Sequence, residues 1–152
     1  PATTPPAAAA LNIWRWVGSV DLTKAGVDGV SLNALVQQAK GADSKVFASS
    51  IAPKETSFLV SGVYIIPASV LDGLSAKVQY QQSTTDFGGT TKDVKIQQLG
   101  GVVDYAFSAK IKVYGFYAKR YLKNPSNPAV NPNGKDQNYA YSALGVGIEQ
   151  KF

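Results

Sequence analysis

In seven stretches of this chain apolar residues return at every second position, and nowhere do they return at the three- and four-residue spacing of a helix. The stretches cover residues 11–22, 30–40, 56–66, 74–83, 94–107, 111–122 and 139–152, and they are rich in Val, Ile, Tyr and Leu. A period of two puts successive side chains on opposite faces of a strand, so the chain is expected to be all-β. No convincing helix is expected, because Gly and β-branched residues interrupt every helical register.

The connections predict the order of the strands. Strands one and two are joined by "TKAGVDG", three and four by "PASVLDG", and five and six by "SAK". The other three connections are longer and polar: "GADSKVFASSIAPKE", "STTDFGGTTKD" and "KNPSNPAVNPNGKDQ". Short and long in turn is the pattern of an antiparallel up-and-down meander through a membrane, with short periplasmic turns and long external loops.

Alternation also sorts the faces. In the last strand Leu144, Val146, Ile148 and Phe152 fall on one face, and Gly145, Gly147, Glu149 and Lys151 on the other. Strand four sets Leu74, Ala76, Val78 and Tyr80 against Ser75, Lys77, Gln79 and Gln81. One face is apolar with aromatics near the ends, and the other is polar. Either the apolar face covers a soluble core, or it meets lipid around a watery lumen. The aromatics favour lipid. Tyr64, Tyr105 and Phe107 lie close to the short turns, and Trp14, Trp16, Phe58, Tyr80 and Tyr121 nearer the long loops, as two interfacial girdles require.

Composition then excludes several function classes. The chain has 152 residues, is 45% hydrophobic and 16% charged, and contains no run of about 20 apolar residues that would make a membrane helix. Cys, His and Met are absent, so disulfides, thiolate metal sites and Ser-His or Cys-His dyads cannot be built within it. The ten acidic residues are scattered with no paired spacing, so no enzyme and no cofactor is expected. The net charge of +5 is spread without a basic cluster, which argues against nucleic acid as a partner. A chain without Met reads as a processed form or a piece of something longer.

Two segments carry a family resemblance. "GVVDYAFSAKIKVYGFYAK" resembles the penultimate hairpin of the trimeric general porins of betaproteobacteria, and "ALGVGIEQKF" resembles their closing strand, which ends in Phe. The earlier hairpins fit the preceding strands in order, so the resemblance spans residues 11–152. Ala109, Lys110 and Ile111 depart from the Lys-Arg-Thr often found in the family, and Glu149 stands where a basic residue is usual. The resemblance implies an outer-membrane location among Gram-negative lipids, a homotrimer, and a role for Phe152 as lipid-facing assembly signal.

Seven strands are an odd number, whereas bacterial single-chain barrels have even numbers. The expectation is therefore that residues 11–152 are the C-terminal strands of a barrel of about 16, the rest supplied by a missing segment or another chain, with 1–10, "PATTPPAAAA", as an external loop or disordered segment. A self-contained eight-stranded barrel is the alternative. The expected function is a porin passing small hydrophilic solutes or ions, with weak anion preference. Pore-lining candidates are Arg15, Lys77 and Arg120 on the wall and Lys112, Glu149 and Asp104 toward the periplasmic rim, with Asp21 and Lys151 beside them. Other readings are a soluble β-sandwich that binds carbohydrate through Trp14 and Trp16, and a small structural or adhesive barrel that acts through its 123–138 loop.

Overall fold

The computed structural model describes residues 11–41, 53–87, 93–124 and 137–151. They form one antiparallel sheet of seven strands: β1 (Leu11–Asp21), β2 (Val30–Gly41), β3 (Lys54–Ile65), β4 (Leu74–Asp86), β5 (Val94–Ala106), β6 (Ile111–Asn124) and β7 (Gln137–Gln150). Each strand pairs with its neighbours in sequence, from β1 to β7 in order, and β1 and β7 are left as edges. The up-and-down meander is thus present, as an open sheet. Residue Phe152, the segment 1–10 and most of the three longer connections lie outside the described residues.

Two details differ from the expectation. β4 runs on to Asp86, so only residues 87–93 separate it from β5, fewer than the eight at 22–29 and 66–73. The alternation of short and long connections is therefore not strict. The second difference is helical. A 3-10 turn, Leu22–Ala25, and a single α-turn α1, Ala68–Leu71, fill the β1–β2 and β3–β4 connections. Four residues are too few to show a helical period in sequence. They are held by local caps instead. Asp21 accepts the Thr23 N–H at 2.9 Å, Gly26 closes the 3-10 turn at φ 83°, and Pro67 opens α1. The Thr23 amide and hydroxyl hold the Asp21 carboxyl, at the cap, below its ordinary range.

The turns at this end share one device. Gly29 O accepts the Ile65 N–H, Gly73 O the Ala106 N–H and Lys110 O the Lys151 N–H, at 2.8, 2.8 and 2.9 Å. Each turn is thereby tied to the end of the following hairpin. Gly29 and Gly73 have φ of 73° and 82°, a region that glycine enters without steric cost.

The sheet is staggered. From Asp21 the register passes through Ser31, Val63, Lys77, Val102 and Phe116 to Gly145, and β7 continues five residues farther, to Gln150. Five residues are about 17 Å of strand, and six strand spacings are about 29 Å. The turn edge therefore slopes by about 30° to the hydrogen-bond rows, close to the strand tilt of closed barrels, about 35–45°.

Large apolar side chains stand exposed on this open sheet. The apolar face has no second layer among the described residues, and no large side chain is fully buried. On β7, Leu144 and Val146 are 82% and 86% exposed. The two most covered side chains, Ala39 at 9% and Asp104 at 8%, both stand on the polar face. Among the described residues all seven strands belong to one sheet, and a β-sandwich would need a second packed on it.

Candidate functional site

The apolar face is bounded on every strand. Toward the longer connections its last apolar residues are Trp14, Val36, Phe58, Tyr80, Leu99, Tyr117 and Leu144. Two residues farther stand Asn12, Gln38, Thr56, Gln82, Gln97, Lys119 and Ser142, all polar. This edge is also tilted: the register from Trp14 ends on Asn138, and Leu144 lies six residues beyond it. The two edges of the apolar band are therefore nearly parallel. Six of the seven strands contribute four same-face residues between them, on the order of 20 Å of strand.

Aromatics mark both edges. Trp14, Phe58, Tyr80 and Tyr117 close the band on one side. The Tyr80 hydroxyl accepts from Gln97 Nε2 at 2.9 Å, and the Tyr117 hydroxyl reaches Ser142 Oγ at 3.4 Å. Each ring thus lies in the band with its polar tip in the polar row, an arrangement suited to an apolar–water boundary. On the turn side stand Tyr64, Tyr105 and Phe107, the last two edge to face at 4.7 Å. Trp16 sits one same-face position inside the band, and its indole covers Gly18. Tyr121 lies beyond the band, under the Lys119 ammonium.

The opposite face brings together all six of the candidate pore-lining residues: Arg15, Lys77, Asp104, Lys112, Arg120 and Glu149. Their charges are arranged in two zones. Near the turns, Lys77 Nζ is 2.9 Å from Asp104 Oδ2, and Ser75 Oγ donates to Asp104 Oδ1 at 2.9 Å. The Lys77 ammonium is thus the charge that compensates the covered Oδ2. Lys112 and Lys151 flank Glu149 at 3.0 and 4.0 Å. Lys77 thus belongs with the rim group rather than with the two arginines. Toward the longer connections, Arg15 donates from Nε to Gln37 Oε1 at 2.7 Å and also from its Nη2. Neither Arg15 nor Arg120 has a carboxylate partner among the described residues.

Between the zones the wall is neutral and hydrogen-bonded, with Asn33 donating to Ser61 at 3.4 Å. Glu55, which accepts from Ser83 Oγ at 2.7 Å, also belongs to this face. It was hidden in sequence because β3 begins at Lys54, inside what reads as a loop. Such a wall carries hydration-competent groups and fixed charge, and no group of three metal-ligating side chains occurs among the described residues.

No protein-family model matches the chain, and no curated protein matches it.

Proposed function

We propose that this chain forms part of an outer-membrane β-barrel channel, a porin through which small hydrophilic solutes and ions diffuse passively. One observation carries this reading: a single-layer sheet exposes a tilted, aromatic-edged apolar band on one face and carries a charged, hydrogen-bonded face on the other. In water such a band would far exceed the few hundred Å² of contiguous apolar surface that soluble monomers tolerate. In lipid it needs no cover.

The two edges call for further strands, since unpaired backbone is not tolerated in hydrocarbon. Their direction limits the source. Seven strands leave β1 and β7 running the same way, so an all-antiparallel closure takes an odd number of additional strands. Copies of this sheet joined edge to edge, all with the same orientation, would pair in parallel. A barrel of about 16 strands meets the parity requirement and is wide enough for water. Three such barrels form the proposed assembly.

The test is conductance of the native protein in a planar bilayer. Stepwise ohmic openings are expected, and their absence from correctly inserted protein overturns the channel. Topology is tested separately: protease added to intact cells should cut within 125–136 and spare 107–110, and cleavage at 107–110 alone inverts the orientation.

Selectivity follows from the wall's two zones. Asp104→Asn keeps the Ser75 contact but removes the negative charge, leaving Lys77 uncompensated. One unit charge about 10 Å from a permeating ion is worth about 0.4 kcal/mol in water, roughly a twofold change in local ion concentration. The reversal potential in a low-salt gradient should therefore move toward that of chloride by about that factor, and Arg15→Gln/Arg120→Gln should move it the other way. No movement in either variant removes this face from the conduction path.

A further inference from the structure

We infer that the polar face of β5–β7 carries a subsite for small aromatic carboxylates, built on Arg120, Tyr141 and Phe116. The inference rests on this face being lumenal. Arg120 and Tyr141 are cross-strand partners, so their side chains stand next to each other. Two residues toward the turns, the row Gly100, Ala118 and Ala143 presents nothing larger than a methyl group. Two residues farther stands Phe116, whose ring leans over Gly145 so closely that no Cβ would fit there. The result is a shallow floor about 13 Å long along the strands, with a ring at each end and a guanidinium at one of them. These lengths suit one six-membered ring with a carboxylate attached.

The electrostatics select the sign of the ligand. Asp104 and Glu149, the acids of β5 and β7 on this face, are engaged by lysines, and Arg120 has no carboxylate partner among the described residues. Its planar fork is therefore available for two parallel hydrogen bonds to a carboxylate. The Tyr141 and Phe116 rings, both exposed on this face, offer stacking that acetate cannot use. Arg15 provides an internal contrast. It is the second uncompensated guanidinium, but it is bound to Gln37 and has no aromatic partner on its own row.

The experiment is equilibrium dialysis of the detergent-solubilised native protein against benzoate, acetate and glucose, with bilayer conductance measured in parallel. Benzoate should be retained more strongly than either other probe. Arg120→Gln should weaken its binding roughly tenfold, the loss of a charge-assisted hydrogen bond. Tyr141→Leu and Phe116→Leu, which keep apolar cover, should each weaken it roughly threefold. Arg15→Gln should leave it unchanged. Equal retention of acetate, or equal losses in Arg15→Gln and Arg120→Gln, overturns the subsite. A protein that conducts but retains no benzoate overturns the subsite alone, and one that retains benzoate without conducting overturns the channel alone.

Discussion

Val78→Arg should destabilise the membrane-inserted protein by about 2–4 kcal/mol, while Gln79→Arg, one residue away, should cost close to nothing. Val78 is an interior residue of the apolar band on β4, flanked on its face by Ala76 and Tyr80. In the proposed barrel a guanidinium there would meet hydrocarbon near the middle of the bilayer, where arginine on an outward position is most costly. Gln79 faces the other way, into the hydrogen-bonded wall, where a longer polar side chain keeps its hydration. The comparison holds strand, propensity and introduced residue constant, so the difference reports the environment of the two faces alone. Equilibrium refolding into phospholipid vesicles measures it. Equal midpoints for the two variants would mean that the band does not meet lipid.

Gly73→Ala should cost about 3 kcal/mol or more, whereas Gly26→Ala should cost about 1 kcal/mol. Both glycines are left-handed, at φ 82° and 83°. An alanine at either position carries the same intrinsic strain, because its Cβ crowds the following carbonyl. Their surroundings differ. A Cβ at Gly26 meets nothing within 4 Å, but at Gly73 it lies 2.5 Å from the carbonyl oxygen of Ala106. That oxygen is backbone and cannot swing aside without disturbing the Ala106 N–H to Gly73 O bond. Gly73→Ala should therefore break the tie between the β3–β4 turn and the end of β5. The measurement is the shift in denaturation midpoint, and identical shifts would show that the turn and β5 do not approach so closely.

Much of the architecture could be read from alternation. Strand existence and facing follow from side chains appearing at every second position, and that signal is local. What depends on register could not be read. Lys77 and Asp104 meet only because β4 extends to Asp86 and the next connection is seven residues long. A one-residue slip would move Asp104 to the other face. Tyr80 reads from sequence as lying near a long loop, and it does edge the band, although β4 continues six residues past it to Asp86. The partnering of Arg120 with Tyr141 is likewise a property of the β6–β7 pairing rather than of either segment. Glu55 escaped because polar strand ends that project past an apolar band have the same composition as loops.

Strand order also has a kinetic meaning. Every pairing in the sheet joins segments adjacent in sequence, so contact order is low for a β protein, and no pairing need wait for a distant part of the chain. The three turn ties add direction: once a hairpin has formed, its turn carbonyl is already placed to receive the end of the next hairpin. Folding can thus proceed as a zipper, each hairpin templating its successor for a small loop-closure entropy. In the proposed barrel, the step that remains is joining the two outer strands to the strands that complete the ring. That step is not local to any one hairpin, and the rate of barrel formation should be set there, with substitutions in β1 and β7 slowing it and substitutions in β3 to β5 acting mainly on unfolding.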